Sequence, residues 1–267
     1  MTAHDRSTEK KKILFVAANA AVSPTTGWPV GFWWAELTHP YLAFTEAGYD
    51  VDIRSPEGGA LVADGYSDPE DASGYSAHDI VSLGFKKSAA HAKLLESTKS
   101  VEGVSPEGYE AIFVVGGQSP MVTFRGNEKL ERLVAAFYEA GKQTALVCHG
   151  TCLLLGTKLA NGERLVKGKT WTGFADSEEQ IADGFVGRRI QPFWIESEAR
   201  KLADTTFQVA SAFAPYAVRD GNLVTGQQQV SGRVAAELVI EALSGVSAAR
   251  PITRGAVAAS VVAGDAQ

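Results

Sequence analysis

Thr-Ala-Leu-Val-Cys-His-Gly-Thr-Cys-Leu-Leu-Leu-Gly, residues 144–156, is the stretch from which the rest of the chain is read. Ala145, Leu146 and Val147 have the unbroken apolar character of a short buried strand; Cys148, His149 and Gly150 follow at once, and an apolar run able to form a helix comes next. The pattern is a strand-turn-helix elbow with a thiol at its tip. Such a turn holds its middle residue in a strained backbone conformation and points that side chain out of the sheet, toward the amides at the head of the helix. Those amides and the positive end of the helix dipole favour a thiolate, so Cys148 is expected to have a lowered pKa and to be a nucleophile. Most free cysteines are small buried hydrophobes; the flanking His149 and Gly150 favour the nucleophile here.

The segments on either side repeat the alternation of strand and helix. Residues 13–18, Ile-Leu-Phe-Val-Ala-Ala, form a continuous apolar run of the kind found in a central parallel strand buried on both faces. A helix follows with Thr38 as N-cap and Pro40 in its first turn, and Gly48 ends it before a second strand over 49–54. Residues 111–115 form the next strand, ending in Gly116-Gly117, and 127–140 have helical periodicity with Leu130, Leu133, Val134 and Phe137 on one face. Beyond the elbow, a strand is expected over 169–174, helices from 176 and over 193–202, a hairpin around Asp220-Gly221-Asn222, and a closing helix over 231–243. Hydrophobic strands alternating with helices predict an α/β fold with an open, mostly parallel sheet and helices on both faces, whose site lies outside the carboxyl ends of the strands. One domain is expected over 13–243, with 55–107 as a small insertion or cap, 1–12 as a flexible tail and 244–267 as a C-terminal tail.

Composition narrows the function. The 267 residues are 45% hydrophobic and 21% charged, as in an ordinary soluble globule, and the net charge is -6. That balance, with no basic run after residues 10–12, argues against nucleic acid or an anionic membrane and for a small-molecule partner. Two cysteines cannot build a disulfide framework, the polar first residues do not read as a signal peptide, and no apolar run is long enough to span a membrane, so a cytoplasmic location is expected.

Few groups can serve the thiol. Of five histidines, His4, His39, His78, His91 and His149, only the last lies at or after Cys148, which excludes the papain-like and triad-type amidotransferase arrangements with their downstream histidine. His149 is therefore the candidate base, or a spacer whose backbone amide matters more than its ring. Glu36 lies inside the run Phe32-Trp33-Trp34-Ala35-Glu36-Leu37. Buried there, its pKa rises unless it meets a donor, and a partly protonated acid facing a sulfur can move protons; the alternative is a solvated residue on an amphipathic helix. Asp176, as a possible third acid, and Glu179 are candidates to orient His149, although acids at a helix start also favour the dipole. Gly116 and Gly117 can bring backbone N–H groups close to a ligand and, with the His149 amide, form an oxyanion hole. Cys152, among Leu153, Leu154 and Leu155, reads as core packing.

With these pieces assembled, the chain resembles the ThiJ/PfpI superfamily, in the branch of glutathione-independent glyoxalases (glyoxalase III) and heat-shock chaperone-like proteins. The matching residues are Gly31, Trp34-Ala35-Glu36-Leu37-Thr38-His39-Pro40-Tyr41, Ala47-Gly48-Tyr49, Ser55-Pro56 with Gly58-Gly59, the run 109–117, Val147-Cys148-His149-Gly150, Thr172-Gly173-Phe174 before Glu178-Glu179, and Val224-Thr225-Gly226-Gln227. The resemblance implies a flavodoxin-like sheet, a homodimer, Cys148 as nucleophile, Glu36 as its acid partner and His149 completing the set. It also implies turnover of a small carbonyl substrate, methylglyoxal to lactate, with no cofactor and no metal. Superfamily relatives are also described as chaperones, deglycases, proteases and hydratases. Two segments that border the pocket in the family depart from its pattern, Gly116-Gly117-Gln118-Ser119 and Gly226-Gln227-Gln228-Gln229, and Trp28, Trp33 and Trp34 favour a substrate larger than methylglyoxal.

Overall fold

The computed structural model describes residues 11–246 and 251–255. Eight strands form one sheet: β1 (Lys12–Val16), β2 (Asp50–Ser55), β3 (Lys99–Ser100), β4 (Ala111–Val114), β5 (Gln143–Val147), β6 (Ala217–Asp220), β7 (Leu223–Gly226) and β8 (Ile252–Arg254). Their order is β8-β6-β7-β5-β4-β1-β2-β3. Every pairing from β7 to β3 is parallel, and β6 alone runs against its neighbours β7 and β8. The chain runs outward from β1 to β2 on one side and from β4 to β5 on the other, so the sheet has a switch point between β1 and β4, where open α/β sheets open a crevice.

Side-chain alternation divides the core into two layers. Leu14, Val16, Ile112, Val114 and Leu146 face the helix α4 (Glu128–Glu139), through Leu130, Val134 and Phe137, and the segment after the elbow. Ile13, Phe15, Phe113, Ala145 and Val147 face α1 (Trp34–Glu46), through Leu37 and Phe44, and α7 (Gly232–Leu243), through Leu238 and Val239. The remaining labelled helices are α2 (Ile80–Lys87), α3 (Ala89–Glu96), α5 (Asp176–Val186) and α6 (Ile195–Ala199). The expected mostly parallel α/β sheet with helices on both faces is therefore the architecture of the protein.

Several local expectations are corrected. α1 begins at Trp34 rather than after Thr38, whose hydroxyl donates to the Trp34 carbonyl at 3.0 Å from inside the helix. Pro40 sits mid-helix; its missing amide costs a hydrogen bond, and the burial of Trp34, Leu37, Ala43 and Phe44 overrides that cost. The elbow is followed by a 3-10 helix, Cys148–Leu155, and the strand expected over 169–174 is only Thr170–Trp171, paired with Thr206–Phe207 in a separate small sheet. Within 55–107 the chain forms α2, which packs on α1, together with α3 and the edge strand β3, so this segment extends the sheet. The 244–267 tail contains β8, paired with β6. Of the expected N-terminal tail, residues 1–10 lie outside the described residues, and Lys12 already opens β1.

Candidate active site

β4 and β5 end side by side, and the loops leaving them build the site. Val147 passes directly into Cys148, whose φ of 54° is left-handed; only one other described non-glycine residue, Phe213, has a positive φ. The expected strain at the elbow is thus present, and it turns the sulfur toward the backbone N–H groups of His149 and Gly117. The two glycines after β4 make the approach of α1 possible. A Cβ on Gly116 would stand 2.3 Å from Glu36 Oε2 and 2.8 Å from Cys148 Cβ. One on Gly117, whose φ is +108°, would meet the Gly31 carbonyl oxygen at 2.6 Å.

Through this gap the first turn of α1 carries Glu36 to the thiol. The carboxyl is fully buried, and neither oxygen has a hydrogen bond of full geometry among the described residues; its polar neighbours are the Cys148 thiol and the Gly116 amide. Burial pushes its pKa up to about 8, against the smaller pull of the thiol and of the His149 charge. The Gly116 amide thus faces Glu36, while the amides of Gly117 and His149 face the sulfur, so the three groups grouped as an oxyanion hole divide between two tasks. The expected lowering of the Cys148 pKa is corrected as well. Burial and the nearby Glu36 carboxylate hold the thiol well above its ordinary value, and the two amides only partly offset them.

His149 is 5% exposed and packs its ring on Phe174 with centroids 4.2 Å apart. Nδ1 lies 3.1 Å from the Gly117 carbonyl oxygen, which can only accept, so this nitrogen carries the proton. Nε2 lies 3.2 Å from Glu179 Oε1. Burial opposes the charged ring, but the hydrogen bond and charge of Glu179, helped by Glu36 and Asp64, outweigh it and raise the His149 pKa. Both ring nitrogens are thereby engaged, and what His149 turns to the sulfur is its backbone amide.

Asp176 does not reach His149. Its carboxylate accepts from Ser197 N at 3.1 Å and from Ser197 Oγ at 2.5 Å, tying α5 to α6. Glu179, three residues further along the helix, projects onto the imidazole instead. Its neighbour Glu178 is also buried; it accepts from the amides of Ala175 and Phe213 and from Gln227 Nε2, each at 2.9 Å, and so fixes the strained Phe213 turn. Asp64, from the segment between β2 and β3, accepts from Gly31 N at 2.8 Å and Gln118 N at 2.7 Å, bracing both loops around Gly117. Burial pushes its pKa up to about 7. Neither Asp64 nor Glu178 is identifiable from sequence, where one belongs to a loop rich in acids and the other to an acidic helix start. Cys152 is fully buried in the core, its thiol donating to the Pro120 carbonyl oxygen at 3.4 Å.

Cys148, only 2% exposed, lies with Glu36 and His149 in the lining of a cavity of about 330 Å³. Gln118 and Gln229, from the two departing segments, reach this cavity, whereas Gln227 and Gln228 turn their amides to Ala210, Glu178 and Ala214. Trp28 and Trp33 line it; Trp34 instead packs edge-on against Phe32 and Phe85 in the core. Among the described residues no cluster of His, Cys, Asp and Glu could hold a metal ion, and no helix is long and apolar enough to cross a membrane.

The chain is 27% identical over 238 residues to the glutathione-independent glyoxalase HSP31 of Saccharomyces cerevisiae, covering 88% of this chain and 98% of that protein. It is 25% identical over 218 residues to glyoxalase 3 of Candida albicans, covering 81% and 91%. Among solved structures, the rapid encystment protein of 24 kDa from Francisella tularensis superposes with a TM-score of 0.76 at 26% identity, covering 87% of this chain and 99% of that one. The model of the DJ-1/PfpI family matches residues 31–241, from the glycine that opens the loop before α1 to the last turn of α7, and the chain belongs to that family.

Proposed function

We propose that this protein is a cysteine-dependent lyase of the glyoxalase III type, adding the elements of water to a 2-oxoaldehyde to give a 2-hydroxy acid. The observation that carries the reading is the buried pairing of the Cys148 thiol with the Glu36 carboxyl at a cavity wall, under the amides of Gly117 and His149. Relatives named glyoxalases over most of their length support it.

Thiol and carboxyl titrate as a pair. Together they hold two protons in acid and must release one before attack, whichever atom keeps the other. As Sγ bonds to the aldehyde carbon, Glu36 takes the thiol proton and the carbonyl electron pair moves to oxygen, where the Gly117 and His149 amides stabilise it. Glu36 passes the thiol proton on to that oxygen, giving the hemithioacetal; the freed carboxylate then takes the proton from the former aldehyde carbon and returns it to the neighbouring ketone carbon through an enediol, while the hydroxyl proton moves to the neighbouring oxygen. The aldehyde carbon is thereby oxidised to a thioester and its neighbour reduced to an alcohol within one molecule. Water attacks the thioester, the C–S bond breaks and the sulfur regains its proton. Contact with Glu179 favours the charged form of His149, which lends a positive field beside these steps.

The test is lactate formation from methylglyoxal by wild type, Cys148→Ala and Glu36→Gln. Cys148→Ala is expected to have no turnover with circular dichroism unchanged, and Glu36→Gln to lose roughly 10²–10⁴-fold in kcat. In the wild type kcat/KM rises toward pH 8, the range to which burial moves Glu36, and Glu36→Gln loses that limb. Turnover by all three proteins rejects the assignment. A homodimer in the cytoplasm completes the proposal; light scattering that returns the mass of one chain removes the dimer from it.

A further inference from the structure

We infer that the substrate is an uncharged 2-oxoaldehyde bearing a bulky apolar, preferably aromatic, group, with Ile181 and Phe185 of α5 as specificity-determining residues. This rests on the lyase reading above and names the substrate class of the same site. Methylglyoxal has five non-hydrogen atoms, whereas cavities of roughly 300–1,000 Å³ enclose drug-sized ligands. The cavity against Cys148 is of the latter size, at about 330 Å³.

Its chemistry is equally selective. Among the described residues neither lysine nor arginine lines it, and the charge of His149 is already met by Glu179, so nothing there is free to neutralise a phosphate or carboxylate on the substrate. Of its two carboxylates, Glu36 is engaged with the thiol and Glu179 with His149, which leaves no counter-charge for an amine or guanidinium. The polar groups beside Cys148 suit the two-carbon dicarbonyl head. Apart from these and the neutral amides of Gln118, Gln191 and Gln229, the lining is mainly aromatic and aliphatic, with Trp28 and Trp33 from the loop before α1, Tyr66 from the segment after β2, Phe213 from the turn held by Glu178, and Ile181 and Phe185 from α5. Ile181 is 52% and Phe185 74% exposed, an arrangement that leaves apolar surface in water until a ligand covers it. The wall is anchored from both sides. Arg188 just beyond α5 stacks on Trp28 at 4.9 Å and donates to the Thr26 carbonyl oxygen at 3.0 Å, and the Phe185 and Tyr66 rings stand 6.5 Å apart.

Steady-state kinetics with methylglyoxal and phenylglyoxal on the full chain test this. The wild type is expected to show kcat/KM at least about tenfold higher for phenylglyoxal, carried by KM, the scale on which a few apolar carbons discriminate in a hydrophobic pocket. Phe185→Ala and Ile181→Ala, both exposed and thus compatible with folding, are expected to lose more on phenylglyoxal than on methylglyoxal and so shrink that ratio severalfold; comparing variants cancels the intrinsic reactivity of the two aldehydes. Equal or poorer use of phenylglyoxal by the wild type, or a ratio untouched by both substitutions, overturns the inference and leaves the lyase reading standing. Turnover of neither aldehyde overturns the lyase reading itself and this inference with it.

Discussion

Glu36 brings a carboxyl group into the protein interior with no full hydrogen bond to compensate it. Its pKa moves from 4.5 to about 8 because burial penalises the charged form more than the thiol, amide and imidazole neighbours relieve it. A tenfold change in proton affinity is worth about 1.4 kcal/mol, so ionising this group in the folded state costs on the order of a few kcal/mol. The folded form binds the proton more tightly than the unfolded one, so the contribution to stability is fully present below pH 4.5 and is lost as pH rises toward 8. Glu36→Gln removes the ionisation. Its melting temperature relative to wild type is expected to climb between about pH 5 and pH 8.5 and to level off beyond, as read by calorimetry across that range. A difference that stays flat with pH would mean that Glu36 is not held protonated by its surroundings. The same residue was conspicuous in the sequence because a carboxylate within Phe32-Trp33-Trp34-Ala35 has few ways to reach water. The direction in which the Cys148 pKa moves was not: helix-end amides argued for a thiolate, and only the position of Glu36 and the depth of burial reversed it.

At the level of single elements, α5 decides which acid meets the imidazole. Asp176 opens the helix and is spent on Ser197 of α6, while Glu179 lies 3.2 Å from Nε2 of His149. Glu179→Gln should remove the charge that raises the His149 pKa and weaken the positive field at the elbow, with kcat/KM expected to fall at least about tenfold. Asp176→Asn keeps the helix start polar and touches neither the thiol nor the imidazole, so its kcat/KM should stay within about twofold of wild type, with a stability loss of about 1 kcal/mol from the weakened Ser197 contact. The reverse ranking in a kinetic comparison would restore Asp176 to the site. Sequence put Asp176 forward as the third acid with Glu179 as the other candidate, and the structure reverses that order, since helical spacing gives relative position along α5 and not the direction in which the helix is mounted. The loop after β4 shows the same limit. Gly116-Gly117 marks a close approach, but which partner approaches is settled by Asp64, which gathers the Gly31 and Gln118 amides from a segment far away in the chain.

Across the whole molecule, the sheet is terminated on one side by β8, which pairs with β6, packs Gly255 close to the Pro215 carbonyl and brings Arg254 to Glu241 of α7. Removing residues 251–267 uncovers the β6 edge and costs its ladder hydrogen bonds. A loss of roughly 1–2 kcal/mol, seen as a drop of about 3–8 °C in melting temperature, is expected. The turnover of the truncated protein should match that of the full chain, because the cavity is built in the middle of the sheet, beside β4 and β5, with β6 and β7 between it and the lost strand. Full retention of the melting temperature would show that β8 contributes nothing to the stability of the fold. This strand was not legible in an Ala-, Val- and Ser-rich stretch without periodicity, because a short edge strand is selected by the neighbour it pairs with rather than by its own pattern.

The mostly parallel α/β sheet, the alternation of its central strands with helices and the elbow that presents Cys148 are all legible along the chain, since unbroken apolar runs, a strand-end glycine pair and a thiol directly after a strand are local patterns with few alternative structures. Where charge resides depends on packing, which alone decides that Glu36 sits on the thiol with its burial only partly offset by the thiol and the Gly116 amide, that Glu179 and not Asp176 holds His149, and that aromatic groups from separate segments close a cavity whose described lining holds neither lysine nor arginine. Electrostatic energies depend on distance and on the exclusion of water, and both are set by how elements distant in the chain pack together.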